Sequence, residues 1–346
     1  MGKKLRVVHV GCGGISAEWL RHPFIKERVD ILAFVDINPE NARKRAAEFG
    51  FPEAEVSTDL EAMLDKHHPD AVFDTTIPAA HKGVTLAALA HGCHVLGEKP
   101  MADTLENGKE MVAAAKRAGK VYAVTQTRRY NRNLQRLVKF IRSGAIGKVE
   151  TVQSDFFIGA HFGGFRDAMR HVLILDMAIH TFDAARLISG ENPESVICED
   201  WNPNSSWYAH GASAMAFFRM TNNVRYLYHG SWCAEGLNES WEAVWRVIGS
   251  KGTVTWDGNE KIVAEVLAPN PGDGFIRDHV MVEVPPCTPD LKDGAHAGII
   301  ADFLDCMEDG KVPETVCTDN IHSLAMVCAA IDSAERDGAR VAIRAE

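Results

Sequence analysis

The sequence predicts an α/β protein of two domains, the first built on a parallel sheet and the second an α/β domain with a large, mostly antiparallel open sheet. In the first third of the chain, short apolar runs alternate with amphipathic helical patterns. This alternation is typical of parallel strands joined by right-handed crossovers. After about Arg128 the pattern changes to longer strand-like runs separated by short turns. A chain of 346 residues can form two cores, and we place the domains at residues 1–127 and 128–346.

The individual elements follow from hydrophobic periodicity and from glycine stops. The predicted strands of the first domain cover residues 5–10, 31–36, 71–76, 93–98 and 121–126. Its predicted helices cover residues 38–50, 59–67, 81–92 and 105–119. In the second domain we expect strands in 213–220, 224–232 and 242–256, and helices in 136–147, 173–188, 298–307 and 320–336.

Composition and charge exclude several classes of function. A net charge of −10 argues against a nucleic-acid partner, because phosphate-binding surfaces need clustered Lys and Arg. The basic cluster at 128, 129, 132 and 136 is interpreted as a helix start with a solvated face. No segment approaches the roughly 20 apolar residues that span a bilayer, so no membrane partner is expected. Eight cysteines without a C-x-x-C pair, and no secretory signal pattern, predict a cytoplasmic protein with reduced thiols.

A glycine-rich turn follows the first predicted strand. Its glycines and a small third residue fit the G-x-G-x-x-G/A pattern that brings backbone close to a pyrophosphate. Asp36 ends the second predicted strand about 20 residues later, where an acid can accept hydrogen bonds from the ribose hydroxyls of NAD. These features predict a Rossmann dinucleotide-binding domain that prefers NAD, although Arg43 and Lys44 keep NADP open. The predicted turn residues are Gly11, Gly13, Gly14, Ile15 and Ser16.

The predicted helix 173–188 is apolar over most of its surface but carries three polar residues. Asp176, His180 and Asp183 fall at i, i+4 and i+7, so we expect them on one face. Buried polar groups need partners, and the stripe should line a wet cavity or contact another polar element. A structural histidine bonded to a carboxylate is the alternative. No third ligand lies nearby in the sequence, so no metal is expected.

Several motifs together resemble one family. "VGCGGIS", "HGCHVLGEKPMA", "RRYNRNLQRLVKFIRSGAIGKV" and "DMAIHTFD" are similar to the Gfo/Idh/MocA oxidoreductases, the group of glucose-fructose oxidoreductase and inositol dehydrogenase. The resemblance implies a Rossmann domain followed by an α/β domain whose open sheet forms a homodimer or homotetramer. It also implies that Lys99 of the Glu-Lys-Pro motif, Asp176 and His180 are the catalytic residues.

The same resemblance assigns further cofactor contacts. Thr76, Pro78 and His81 match the family's loop beside the cofactor, and Glu98, with Lys99, lies near the nicotinamide ribose. The Gly-rich segment that usually precedes the aspartate is replaced by "MRHVLILD". Its Arg170 and His171 are therefore candidate substrate contacts.

The residue types suit the oxidation of a secondary alcohol. An imidazole can take the hydroxyl proton near neutral pH while hydride leaves for the nicotinamide, so His180 is the expected base. Aromatic faces suit sugar rings, although tryptophans in a sheet more often form core or interface. The six in question are Trp201, Trp207, Trp232, Trp241, Trp245 and Trp256.

Three functions remain open. The first is an NAD(P)-dependent dehydrogenase acting on a secondary alcohol of a sugar, sugar derivative or cyclic polyol. The second is an NAD-dependent glycoside hydrolase that uses transient oxidation. The third is a non-catalytic nucleotide or sugar sensor, which need not retain a proton-transfer set.

Overall fold

The computed structural model describes residues 4–287 and 294–345. The chain divides into two compact units. The first comprises Met1–Thr127, Gly294–Leu324 and Ala345–Glu346. The second comprises Arg128–Asp293 and Ala325–Arg344.

Among the described residues of the first unit, six parallel strands form one sheet in the order β3-β2-β1-β4-β5-β6. They are β1 Leu5–Val10, β2 Val29–Val35, β3 Glu55–Ser57, β4 Ala71–Asp74, β5 His94–Gly97 and β6 Tyr122–Val124. The central strands are buried apolar runs, as expected for a sheet covered on both faces. The strand order reverses beside β1, and ligands bind such sheets outside the carboxyl ends of the strands. The predicted Rossmann-type domain is confirmed.

Helices connect these strands, and their starts can be read in the sequence. Asn38, Asp59 and Thr104 each accept a hydrogen bond from a backbone N–H in the first turn of the helix that follows. The helices are α1 Ser16–Leu20, α2 Pro23–Arg28, α3 Pro39–Glu48, α4 Leu60–His67, α5 Pro78–Ala90 and α6 Leu105–Ala118. The short elements β3, α1 and α2 were not predicted, because segments of three to six residues show too little periodicity.

The second unit contains the large open sheet. In the part of the chain that the structure describes, nine strands lie in the order β14-β13-β12-β11-β7-β10-β9-β8-β15. All neighbours are antiparallel except β7 and β10. The predicted mostly antiparallel sheet is thus confirmed. The strands are β7 Val149–Phe157, β8 Pro193–Trp201, β9 Ser213–Met220, β10 Arg225–Ser231, β11 Val244–Gly249, β12 Gly252–Trp256, β13 Ile262–Leu267, β14 His279–Val282 and β15 Val341–Ala342.

Two helices of this unit cover one face of the sheet. They are α7 Arg132–Arg142 and α8 Ile179–Ser189. A π-helical segment, Leu173–Ala178, runs directly into α8. The buried face of the sheet is aromatic, and Phe182 of α8 packs against Phe218, Tyr226 and Tyr228. This core holds the segment that carries Asp176 and His180.

The last two helices are α9 His296–Asp309 and α10 Cys317–Ala334. Residues 294–324 belong to the first unit, whereas the sequence-based division placed them in the second domain. The physical reason is packing: the Phe303 ring of α9 lies 6.2 Å from that of Phe73 in β4. Within the described ranges, no helix is both long and apolar enough to cross a membrane.

Candidate functional site

The glycine turn after β1 has the geometry of a dinucleotide cradle. Gly11 has φ +84°, and a Cβ there would lie 2.7 Å from the backbone of Thr75 and Thr76, so only glycine fits. A Cβ on Gly13 or Gly14 would meet no atom within 4 Å, so the space in front of the turn is open. Ser16 is buried and its Oγ donates to the Gly13 carbonyl at 2.6 Å. The turn therefore accommodates a serine as its third small residue and fits a pyrophosphate.

Asp36 follows β2 and is tied to the same turn. Its Oδ2 accepts the Cys12 N–H at 2.7 Å, and its Oδ1 accepts the Asn38 N–H at 2.8 Å. The Asn41 Nδ2 also donates to Oδ1 at 3.3 Å. A carboxylate has about four acceptor sites, so about one of these remains for a ribose hydroxyl. Arg43 contacts Glu40 on the surface of α3. Asp36 thus fits the ribose of NAD, and the Arg43 guanidinium is already paired with the Glu40 carboxylate.

Sequence reasoning missed one residue that supports this turn. Arg45 of α3 is buried, and its Nη2 donates to the Gly13 carbonyl at 2.7 Å. Its Nη1 pairs with Glu48 Oε2 at 2.8 Å. A charged residue in an amphipathic helix carries no sequence signal of this role, because only the packing of α3 brings it to the turn.

The loop after β4 is organised by Asp74. Its Oδ1 accepts the Thr76 hydroxyl at 2.6 Å, and its Oδ2 lies 2.9 Å from Nδ1 of His81. Burial acts to lower the pKa of His81, but the Asp74 carboxylate outweighs it and the pKa is raised. His81 is 1% exposed, so it acts on this loop through Asp74. Pro78 starts α5, and Ile77 beside it is 69% exposed.

The end of β5 delivers Glu98 and Lys99. Glu98 is 5% exposed, and its Oε1 accepts the Trp19 Nε1–H at 2.7 Å and lies 3.3 Å from His296 Nε2. Its Oε2 accepts the Lys99 N–H at 3.1 Å. Burial raises the pKa of Glu98, but the hydrogen bonds from His296 and Trp19 outweigh it, and the pKa is lowered. Glu98 therefore holds the backbone of Lys99, which is half-buried and joined to Pro100 by a cis peptide.

In the second unit the three polar residues of the predicted stripe lie in different surroundings. Asp176, in the π-helical segment, and His180, in α8, are half-buried. Asp183 is fully buried, and both its oxygens accept hydrogen bonds at 2.7 Å from Nε and Nη2 of Arg129. The structure therefore groups Asp176 with His180 as the accessible pair and gives Asp183 a structural role. A π turn widens the helix, which periodicity of 3.6 does not anticipate.

The expectation of a solvated basic face is corrected for two of its residues. Arg128 and Arg129 are buried, so the interpretation of these two as part of a solvated face is wrong. Arg128 Nη1 donates to Thr181 Oγ1 at 2.8 Å, next to His180, and its Nη2 donates to the Trp241 carbonyl. Sequence alone gave no partner for these charges, because the partners lie about 50 or more residues away.

The candidate substrate contacts Arg170 and His171 are engaged elsewhere within the second unit. Arg170 Nη2 lies 3.1 Å from Glu335 Oε1. His171 Nε2 lies 3.3 Å from the same oxygen, and its Nδ1 contacts Asp200 Oδ2. These contacts anchor the chain just before the π-helical segment. Packing within the second unit therefore accounts for the positions of Arg170 and His171.

The tryptophans divide into core and surface. Trp232, Trp245 and Trp256 are at most 2% exposed, as expected for sheet core. Trp201 and Trp241 are 39% and 50% exposed. The Phe162 ring lies 6.1 Å from that of Trp241, and the Arg166 guanidinium lies near both Phe162 and Phe165. Within the described residues, no group of three His, Cys, Asp or Glu side chains could hold a metal ion.

Comparison with protein families gives two matches. Residues 5–126 match the model described as "Oxidoreductase family, NAD-binding Rossmann fold". Residues 134–255 match the "GFO/IDH/MocA C-terminal domain". The prediction of an NAD-binding oxidoreductase is confirmed by these descriptions.

Two individual relatives show how similar the sequence is to that of known proteins. The chain is 28% identical to an uncharacterized protein of Sinorhizobium fredii, y4oX, over 95% of this chain and 93% of that protein. It is 30% identical to inositol 2-dehydrogenase of an Arthrobacter species, with 57% of each chain covered. The match to that dehydrogenase therefore spans just over half its length.

Among solved structures, an oxidoreductase from Agrobacterium radiobacter in complex with NAD+, L-tartaric acid and magnesium superposes with a TM-score of 0.84. It is 22% identical and the match covers 98% of both chains. At this identity the likeness establishes the fold.

Proposed function

The chain belongs to the Gfo/Idh/MocA oxidoreductase family, and from that premise we propose that it oxidises a secondary alcohol of a sugar, sugar derivative or cyclic polyol. The observation that carries the proposal is the retention of Lys99, Asp176 and His180 in partly accessible positions. A protein that only senses a nucleotide or a sugar has no need of such a proton-transfer set.

The first unit holds the cofactor in this proposal. Gly13 and Gly14 leave room for the pyrophosphate, Ile15 and Ser16 continue the turn, and Asp36 accepts a ribose hydroxyl. Bound NAD supplies the hydride acceptor. The Asp36 carboxylate would repel the additional phosphate of NADP, which favours NAD.

In this proposal His180, Lys99 and Asp176 act directly on the substrate. His180 takes the proton of the substrate hydroxyl as hydride departs, because an imidazole is a suitable base near neutral pH. The Lys99 ammonium donates a hydrogen bond to the same substrate oxygen and stabilises its developing negative charge. Asp176 accepts a hydrogen bond from a second substrate hydroxyl, which orients the ring.

The family resemblance also supports a division of roles between domains, an assembly and a location. Residues 1–127 would bind the nucleotide. Residues 128–346, apart from the segment 294–324 that belongs to the first unit, would bind substrate and associate as a homodimer or homotetramer in the cytoplasm. The outward face of the open sheet supports the association, because Met215 and Leu227 are 53% and 36% exposed there.

The test combines cofactor and leaving-group readouts. Purified protein is incubated with NAD or NADP and a panel of sugars, polyols and aryl glycosides, and reduced cofactor and released phenol are followed together. We expect NADH formation, and we expect Lys99→Ala and His180→Ala to lower kcat/KM by about 10²- to 10⁴-fold. Lys116→Ala and His210→Ala, at exposed positions, are the matched controls and should retain full activity.

Three results would reject the proposal. Phenol release without net NADH would identify the glycoside hydrolase. NAD binding without turnover of any substrate would favour the sensor. Turnover that survives both the Lys99 and the His180 substitutions would reject the assignment of the catalytic residues.

A further inference from the structure

Arg166 is fixed beside Asp176 by three contacts within the second unit. Its Nε donates to Asp176 Oδ2 at 2.6 Å. Its guanidinium lies 5.1 Å from the ring centroid of Phe162 and 4.7 Å from that of Phe165. An ion pair combined with stacking on two rings orients the planar group, which a lysine ammonium could not reproduce.

Most donors of this guanidinium have no protein partner. Arginine has five N–H donors, and in residues 4–287 and 294–345 only the Nε–H of Arg166 makes a hydrogen bond. Arg129 shows the contrast, because Asp183 engages both its Nε and its Nη2. The edge formed by Nη1 and Nη2 of Arg166 is therefore available, and the side chain is 31% exposed.

The surroundings of Arg166 are apolar and accessible. Phe162 and Phe165 are 46% and 70% exposed, and the Trp241 ring, 6.1 Å from Phe162, is half exposed. Large apolar side chains grouped at a surface mark a binding site more often than scattered ones do. Rings of this kind pack against the C–H face of a carbohydrate and partly exclude water from the charged group beside them.

We propose that Arg166 determines substrate class by binding a carboxylate, so that the substrate is a sugar acid or a polyol acid. The planar Nη1–Nη2 edge matches a carboxylate with two parallel hydrogen bonds, whereas a hydroxyl accepts from only one of the two nitrogens. The carboxylate takes no part in the redox step. The inference rests on the proposed dehydrogenase function, since it names the substrate of the site that contains Asp176.

Matched pairs of anionic and neutral ligands provide the test. Binding of D-glucuronate against D-glucose, and of D-gluconate against D-glucitol, is measured calorimetrically on the protein with NAD, and NADH formation is followed in parallel. We expect the wild-type protein to bind each carboxylate at least ~10-fold more tightly than its neutral partner. Arg166→Gln should weaken carboxylate binding about 10- to 100-fold and neutral binding less than about 3-fold.

Two further variants control for charge and for folding. Arg166→Lys keeps the charge without the fork and should give an intermediate affinity. Arg336→Gln removes another arginine of the second unit, one that pairs with Asp332 and is 57% exposed, and should leave binding unchanged. Thermal unfolding of each variant shows whether a loss of affinity reflects a loss of structure.

The outcomes separate this inference from the proposed function. Equal affinity for anionic and neutral ligands, or carboxylate binding that survives Arg166→Gln, would overturn it. An equal loss for both ligand types would show that Arg166 only holds Asp176. NADH formation from neutral substrates alone would overturn the inference and leave the dehydrogenase standing, whereas Arg166-dependent binding without NADH would reject the dehydrogenase alone.

Discussion

Gly11 and Gly13 stand two residues apart in the same turn and serve different purposes. Gly11 has a positive φ and lies against the backbone of Thr75 and Thr76, so its lack of a side chain is required for folding. Gly13 faces open space, so the protein itself has room for a side chain there, and only a ligand bound in that space requires glycine. One motif therefore combines a structural requirement with a ligand-binding requirement.

Substituting each glycine by alanine separates the two roles. Gly11→Ala should lower the free energy of unfolding by about 1–3 kcal/mol, because the left-handed backbone and the contact with the loop after β4 both oppose a Cβ. Gly13→Ala should change stability by less than about 1 kcal/mol. It should nevertheless weaken NAD binding at least ~10-fold, because the methyl group occupies the space for the pyrophosphate. Urea denaturation and calorimetric titration with NAD measure the two effects, and similar behaviour of both variants would contradict this division.

At the scale of elements, the π-helical segment and α8 depend on an anchor at their start. The Leu175 N–H bonds to the His171 carbonyl at 2.9 Å, so His171 begins the helical hydrogen bonding. Its imidazole lies between Asp200 of β8 and Glu335 just after α10. The hydrogen bond to Asp200 raises the pKa of His171, burial opposes the shift, and the hydrogen bond to Glu335 adds to it. The charged imidazole thus links three segments of the second unit.

This anchor predicts a pH-dependent stability. Because the pKa of folded His171 is raised above its ordinary value of 6.5, its contribution is complete below that pH and is lost as pH rises through the folded pKa. His171→Asn, which tolerates the φ of +50°, should therefore be less stable than the wild type by on the order of 1 kcal/mol at about pH 6. The difference should shrink by about pH 9. Denaturation curves across this range test it, and a deficit that grows with pH would refute the ion-pair explanation.

At the scale of the whole molecule, the open sheet has two unlike faces. One face packs Phe218, Tyr226 and Trp245 into the core beneath α8. On the other, Met215, Phe217 and Leu227 line a depression together with charged and polar residues. Apolar side chains on a broad outward sheet face suit association with a second copy of the chain, as proposed above.

Charge on the outward face should dissociate such an assembly. Met215→Glu combined with Leu227→Glu should shift the sedimenting mass toward the monomer without loss of helical or strand content, because a buried unpaired carboxylate opposes association. Phe275→Glu is the matched control, since Phe275 is fully exposed in a loop of the same unit. Analytical ultracentrifugation measures the mass. A wild-type protein that sediments as a monomer would exclude association through this face.

The sequence by itself predicted much of the fold and placed several candidate site residues at strand ends and in turns. The alternation of strands and helices, the turn from Gly11 to Ser16, Asp36 at a strand end, and Lys99 after β5 all depend on local pattern. Each needs only the residues within a few positions and the rule that parallel strands end at one edge. Strands such as β7 and β8 were missed because their mixed polar pattern shows no clear apolar run.

Only the tertiary structure decided which polar side chains are partners. Arg129 with Asp183, Glu98 with Trp19, Arg45 with the Gly13 carbonyl, and Arg166 with Asp176 are such pairs. Some of these residues are far apart in the chain, and Arg166 and Asp176 lie in two separate segments, a 3-10 turn and the π-helical segment. A buried or half-buried charge must be compensated, but the sequence does not say by which group. Local periodicity therefore determined the elements, and long-range packing determined which charges are buried in ion pairs and which stay accessible.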